Sequence, residues 1–546
     1  MSAEEKDNPA IDEGPHARPP SGHLTPGQTS SDTSDKEHQN DVPEENVQGH
    51  PQANVERPHS LAGEALFVAV LCSSQLLTQA GLAISIMPQH IIARSFGIEN
   101  QPGEVSWFSA GYSLTVGTFI LIAGRLGDVF GHKGFFVGGF AWFGLWSAIA
   151  GFAVYSGPIF FAFCRAMQGI GPALLLPNCI AIISRCYEPG LRQNMVFCLF
   201  GATAPTGFLV GAVFSSLLSQ MAWWPWAYWV MCFACLLLAL LGIFVIPATP
   251  PSPSSPEHEK SSVWQRVDIL GSVTGVAALV LFNFAWNQGP VVGWPTPYTY
   301  ITMIIGVAIF VVFILIEKRV RHPLIPFGVL EIDSLFTLAC ISAGWSSFGI
   351  FVYYMCNLLM VLRDQTPLYT SAQFVAIAIS GLLAAVTTGL ILSHFRASTV
   401  MVISMSAFLI AGIIIATVPV HQTYWAQTFV AIIILPWGMD MSFPAATIVL
   451  SRAMPRQHQG LAASLVNTFV NYSISIGLGF AGTVDSQVSN KGKDILRGYR
   501  GAFYMGVGLS GLGVVLALVF CFVERRWRKA SEKIPQETNQ TTVGNV

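Results

Sequence analysis

The chain has 546 residues, 52% hydrophobic and 11% charged, with a formal net charge of −2. Soluble domains carry about a quarter charged residues, so this composition excludes an ordinary soluble enzyme or regulator. The 28 Lys and Arg are dispersed and the aromatics are mostly Phe and Trp, which excludes a nucleic-acid partner and points to a lipid bilayer.

Residues 1–58 set Lys6, Arg18, Lys36 and Arg57 against twelve acids and hold almost no large apolar residue. Such a segment buries too little surface to offset its ordering entropy and is expected to be disordered. It lacks the apolar core of a secretory signal. Ser and Thr between acids in Thr29–Asp35 are candidates for phosphorylation, although a plain solvated tail is the favoured reading.

From residue 60 the chain becomes a series of apolar runs, each near the ~20 residues that a bilayer demands. We place spans at 64–90, 104–123, 135–155, 158–183, 195–219, 224–246, 268–287, 298–316, 335–360, 371–393, 399–419, 425–449, 461–481 and 501–523. Each must be helical, because the bilayer core cannot satisfy exposed backbone groups. An even number puts both tails on one side. That side then holds Arg125, Lys133, Arg185, Arg192, Lys260, Arg266, Lys318, Arg319, Arg321, Arg396, Arg452, Arg456 and five residues of the C-terminal tail, ending at Lys533. The other side holds Arg94, Arg363, Lys491, Lys493, Arg497 and Arg500. The excess makes both termini cytoplasmic. Nine of the ten cysteines fall in apolar runs, Cys186 excepted, and read as small packing residues. Cys232 and Cys235 lack the further ligands that zinc needs, so no metal is expected.

The link after the second span reads Gly124-Arg125-Leu126-Gly127-Asp128-Val129-Phe130-Gly131-His132-Lys133-Gly134. So short a loop must turn sharply, which glycine permits. Asp128 and the Arg125/Lys133 pair are expected to face each other where a charge pair is worth more than in water, as a latch between helix ends. In the fourth span, Arg165 is placed mid-helix in Arg165-Ala166-Met167-Gln168-Gly169. A permanently charged group there must find acceptors or an aqueous cavity; backbone carbonyls and Gln168 alone would satisfy it. The fifth span carries Gly201, Pro205, Gly207 and Gly211, small residues for close helix approach and a proline that removes one backbone bond. Asp440 is the clearest acid within a span, either a proton carrier, the cap of a helix broken at Pro444, or a residue nearer the interface than the span reading places it. Asp268, Glu64, Glu104 and Glu317 stand at span ends and read as interfacial anchors. Gln75, Gln79, Asn283, Trp286, Tyr353, Asn357, Asn467 and Asn471 are candidates for lining an amphipathic binding cavity, although each alone also serves as interhelical glue.

Residues Gly124, Leu126, Asp128, Gly131, His132 and Lys133 resemble the loop signature of the major facilitator superfamily, with His132 in place of its first basic residue. The Arg165–Gly169 run and the Gly/Pro pattern of the fifth span resemble motifs of its drug:proton antiporters, with Ala204 and Ala212 where glycine is usual. The run Gly460–Asn467, continuing to Asn471–Ser475, resembles the fungal fourteen-span branch. The resemblance implies two six-helix bundles with two helices inserted between them. The borders would be an acidic tail 1–60, a first bundle 61–247, a linker 248–267, two extra helices with their following loop 268–333, a second bundle 334–523 and a tail 524–546. It also implies export of a small amphipathic drug, toxin or metabolite in exchange for protons, with Arg165, Gln168 and Asp440 in proton coupling. Import or exchange of a metabolite or iron chelate, or ligand sensing without flux, are the alternatives. No nucleophile–base pattern or Walker loop appears, so neither an enzyme nor a cofactor is expected. A monomer in the plasma membrane is the default, with the vacuolar membrane as the other choice.

Overall fold

The computed structural model describes residues 60–99, 101–188, 190–248, 267–320, 323–325, 331–453, 459–490 and 493–531. The acidic tail, Glu257, Glu259, Lys260, Arg266, Arg321, Arg456, Lys491 and Lys533 lie outside them. Among the described residues there is no strand.

The chain runs through α1 (Leu61–Ile86), α2 (Gln89–Ser95), α3 (Pro102–Phe130), α4 (His132–Phe152), α5 (Pro158–Cys186), α6 (Leu191–Met221) and α7 (Pro225–Val245). It continues with α8 (Ile269–Val292), α9 (Pro297–Glu317), α10 (Ile332–Asn357), α11 (Pro367–Gln373), α12 (Val375–His394), α13 (Ala397–Ala416), α14 (Gln427–Ala453), α15 (Gln459–Val488) and α16 (Ile495–Ser531). Prolines open α3, α5, α7 and α9, where the missing N–H would have had no helical partner anyway. Ser60 caps α1 by accepting from Gly63 N–H at 3.0 Å. α10 runs on through a π-helical turn, Leu358–Leu362. Fourteen of these stretches, with α11 and α12 forming one, are long and apolar enough to cross a membrane. They coincide with the fourteen spans read from sequence.

The second span does not end at 123. α3 continues to Phe130 and only Gly131 interrupts it, with φ +100°, before α4 begins at His132. The signature is therefore mostly a helix end with a one-residue hinge, because Arg125–Phe130 finish the backbone ladder before the left-handed glycine turns the chain. α14 likewise passes through Pro436 and Pro444 unbroken, so Asp440 caps nothing. The reading of Asp268 and Glu317 as interfacial anchors is also corrected, since they are only 4% and 3% exposed. Of the cysteines, Cys198 is exposed and Cys186 buried.

Within the first six spans α1 packs on α6 and α7, α3 on α5, and α4 on α5 and α7. Within the last six, α10 packs on α15 and α16, and α13 on α14 and α16. The hairpin α8–α9 leans on α15 and α3 through α8. α9 faces outward, with Ile304 at 63% exposure. This is an all-helical membrane fold of two six-helix bundles with two inserted helices. The bundles meet along α3–α15 and along α6 with α11 and α12.

Candidate functional site

The seam between the bundles is where polar side chains gather. α3 and α15 approach backbone to backbone, and a Cβ on Gly117 would stand 3.1 Å from both Thr468 O and Tyr472 Cα. Further along, Ser475 Oγ donates to Ala110 O at 2.9 Å. A Cβ on Gly124 would stand 3.4 Å from Ser464 Oγ, so the signature helix end touches the second bundle.

At the opposite end the seam is pinned by side chains. Gln89 Nε2 donates to Asn357 Oδ1 at 3.2 Å and Tyr353 OH to Pro102 O at 3.4 Å. Ser371 Oγ donates to Ala212 O at 3.1 Å and lies 2.8 Å from Ser216 Oγ. Tyr353 and Asn357 therefore join the bundles at their ends. Gln89 and His90 escape the sequence reading because the short helix α2 reads as the tail of the first span. Two adjacent polar residues closing an apolar run were the available signal. Burial pushes the His90 imidazole below its ordinary range, with Arg94 acting the same way and Asn357 and Glu99 opposing. Folding thus disfavours the charged form of His90. The unfolded chain takes up the proton first as pH falls below about 6.5, so stability drops there. His90→Gln is expected to flatten the fall in Tm between pH ~7.5 and ~5.5, measured by thermal unfolding of the purified protein.

Arg165 is fully buried, about 10 Å along α5 from its first residue rather than mid-span. Its Nε donates to Phe108 O at 2.9 Å, its guanidinium to Gly81 O at 2.6 Å, to Ser85 Oγ at 3.0 Å and to Gln168 Oε1. Gln168 passes the chain on to Ser147 Oγ at 2.6 Å. Tyr112 lies under the guanidinium at 4.6 Å. A charge is thus held away from lipid by dipoles of α1, α3 and α5, without an acid among the described partners.

Asp440 sits at the midpoint of α14. A Cβ on Gly381 of α12 would stand 3.0 Å from Asp440 Oδ2 and 3.3 Å from the Pro205 ring of α6. The carboxylate therefore lies on the seam beside the motif proline, and Oδ2 is buried without a hydrogen-bond partner among the described residues. Arg165 and Asp440 are not brought together. Gly207 and Gly211 press α6 onto α1: their Cβ atoms would meet Leu76 Cα at 2.7 Å and Ala80 O at 2.7 Å. Gly201 has nothing within 4 Å.

In the signature, Asp128 Oδ1 faces Arg185 at 3.5 Å and His132 Nε2 at 3.4 Å. Lys133 Nζ donates to Ile243 O at 2.8 Å. Beside the Arg125/Lys133 pair expected from the sequence, Asp128 thus meets Arg185, a partner 57 residues away in sequence. Buried His132 also lies 2.8 Å from Asn178 Oδ1.

Of the cavity candidates, Gln75 and Gln79 are half-buried on α1, within a stretch Val70–Ala93 running from α1 into α2 where no residue is exposed to the outside. Asn467 and Asn471 are half-buried on α15 and donate to their own helix, to Ala463 O and Asn467 O. Asn283 is corrected to glue: it is 0% exposed and accepts from Ser475 Oγ and Asn287 Nδ2, fixing α8 to α15. Trp286 packs edge-on against Trp294 and Phe480. Among the described residues no group of three or more His, Cys, Asp or Glu could hold a metal.

Residues 69–360 and 334–543 match the family model described as Major Facilitator Superfamily. The chain is 60% identical over 467 residues to the "Low affinity ammonium transporter" of Saccharomyces cerevisiae, covering 86% of this chain and 90% of that one. It is 47% identical to "Efflux pump terJ" of Aspergillus terreus, over 87% of this chain and 92% of the other. It is 41% identical to the "Major facilitator superfamily multidrug transporter mdr3" of Aspergillus fumigatus, over 87% and 83%. A peptide transporter of the POT type solved with sulfate superposes with a TM-score of 0.60 at 14% identity, over 87% of this chain and 97% of the other, a likeness of fold. With its fourteen spanning helices, its hinged signature and relatives that are transporters, the chain belongs to the major facilitator superfamily.

Proposed function

We propose that the protein exports small amphipathic organic compounds, whether drug, toxin or secondary metabolite, in exchange for protons by alternating access. Asp440 carries this reading. An acid inside a spanning helix marks an ion or proton path, and this one has an orphaned oxygen set on the seam against Pro205. Opening the seam between α6 and α12 rehydrates that oxygen. The proton is then held with different affinity in the two states, which coupling requires. Gln75, Gln79, Asn467 and Asn471 supply the polar anchors of the cargo site, while Arg165 and Gln168 fix the interior of the first bundle (61–247) as it rocks against the second (334–523). Gly124, Arg125, Asp128, Gly131 and Lys133 form the latch on the cytoplasmic side, and Gln89, Tyr353 and Asn357 close the outer side. The protein acts as a monomer in the plasma membrane with both termini in the cytoplasm. Relatives named as efflux pumps and a multidrug transporter support the cargo class.

Proteoliposomes with an imposed pH gradient test this. Asp440→Asn is expected to abolish gradient-driven efflux of a lipophilic cationic dye while leaving exchange of labelled for unlabelled dye in place. Undiminished gradient-driven efflux would remove Asp440 from the coupling. A second reading, passage of ammonium, is favoured by the 60% identity to the yeast protein named for it. Methylammonium flux without dye flux in the same vesicles would select it.

A further inference from the structure

The inserted helix α8 has two working faces. Leu279, Asn283, Asn287 and Pro290 recur at helical spacing and turn to α15. Tyr472 OH donates to Leu279 O at 3.1 Å, Ser475 Oγ to Asn283 Oδ1 at 2.9 Å and Asn287 Nδ2 to Ser475 O at 3.3 Å. Higher up, a Cβ on Gly479 would stand 3.0 Å from Trp286 O, and the Trp286 ring meets Phe480 at 4.5 Å. α9 is held to α8 just as closely, since a Cβ on Gly306 would stand 2.9 Å from Phe282 N.

Phe284, Gln288 and Val291 form the second face and turn to α3. They meet it at the end of the seam where Tyr353 holds Pro102. Trp107 Nε1 donates to Gln288 Oε1 at 3.1 Å, and its ring lies 5.5 Å from Phe284. A Cβ on Gly103 would stand 3.0 Å from Val291 Cγ2. Among the described residues α8 thus has three hydrogen bonds to α15 and one to α3, Trp107–Gln288.

Ser475 shows which grip yields when the bundles part. Its hydroxyl lies 2.9 Å from Ala110 O of α3 and 2.9 Å from Asn283 Oδ1, and its one hydrogen serves one acceptor at a time. If α3 withdraws, the hydroxyl keeps Asn283 and nothing on α8 or α15 loses its partner. If α15 withdraws instead, Tyr472 OH and Asn287 lose carbonyl partners inside the span, which is costly. Trp107 and Gln288 are half-buried near the helix ends, where water replaces their bond, and Gln288 Nε2 still donates to Tyr298 OH at 3.1 Å.

We propose that the α8–α9 hairpin is a strap carried by the second bundle, and that Trp107 and Gln288 clasp it to α3 as a gate that parts when this end of the seam opens. The inference rests on the rocking of the bundles given above, and not on Asp440, the cargo or the direction of transport.

Matched cross-links test it in the full chain. A Cβ on Gly103 would stand 3.5 Å from Val291 Cα, and one on Gly482 3.6 Å from Pro290 Cβ. Both pairs suit a disulfide, whose Cβ atoms stand about 3.8 Å apart. In proteoliposomes, oxidised Gly103→Cys/Val291→Cys is expected to lose dye exchange to the protein-free rate and to regain it on reduction. Oxidised Pro290→Cys/Gly482→Cys is expected to exchange dye at the parental rate. Parental exchange across the 103–291 disulfide, or exchange lost across the 290–482 disulfide, overturns the proposal. If the parent exchanges no dye, the export reading falls and spin-label distances in nanodiscs decide the strap. Gln101, Val292 and Gln487 are exposed and take the labels in pairs, with Cys198 and Cys521 replaced by serine. Trp107→Ala is expected to lengthen the 101–292 distance by several ångströms while 292–487 keeps its parental distribution. An unchanged 101–292 distance, or a lengthened 292–487 distance, overturns the strap.

Discussion

Arg165→Lys is expected to reduce transport to background and to lower Tm by several degrees, although the charge is kept. The guanidinium reaches carbonyls on α1 and α3, a hydroxyl on α1 and the amide of Gln168. A lysine ammonium is a point charge with three donors on a flexible stem. It cannot serve Gly81 O and Phe108 O together while also holding Gln168. Each buried acceptor left without a donor costs about 1–3 kcal/mol, and the relay from Gln168 to Ser147 loses its anchor. Flux in proteoliposomes, normalised to inserted protein, and thermal unfolding in detergent would check this. Parental flux at parental Tm would show that the bundle interior does not depend on the guanidinium.

Gly207→Leu is expected to prevent accumulation of folded protein, whereas Gly201→Ala in the same motif should change Tm and flux little. A Cβ at 207 would meet Leu76 Cα at 2.7 Å and Leu76 C at 2.8 Å. These are backbone atoms of α1 that cannot swing aside. Overpacking of a dense interior costs about 1–3 kcal/mol and more when the backbone itself must move, and here a branched side chain must fit as well. Gly201 has open space around it, and alanine there gains about 0.5–1 kcal/mol of helix propensity. Fluorescence-detected size exclusion of the two variants separates them. A folded Gly207→Leu protein would mean that α1 and α6 are not held as closely as described.

The sequence made the fourteen spans legible because bilayer thickness writes itself into chain length. It also exposed the signature, Arg165 and the motif of α6, since a glycine or a charge inside an apolar run stands out. Partnership was not legible. Asp128 looks toward Lys133 when read along the chain, yet Arg185 arrives from the end of α5. Asp268 and Glu317 sit where a hydropathy reading stops, and such a reading cannot say that a turn folds over them. Asn283 looks like a cargo ligand until α15 brings Ser475 against it. Asp485 escapes a hydropathy reading, which ends the thirteenth span at 481. α15 reaches Val488, and Asp485 accepts from Tyr354 OH at 3.3 Å inside the second bundle.

The π-helical turn at Leu358–Leu362 bears on how α10 moves. A helix wound one residue slack at one point can pass that slack along its length, as a dislocation travels through a crystal, while its backbone bonds re-form behind it. Each residue so transferred turns the intervening side chains by roughly 100° about the helix axis. Tyr353 and Asn357 stand just before the slack, so their grip on Pro102 and Gln89 can be undone by a twist of α10, with no hinge and no break in the backbone ladder.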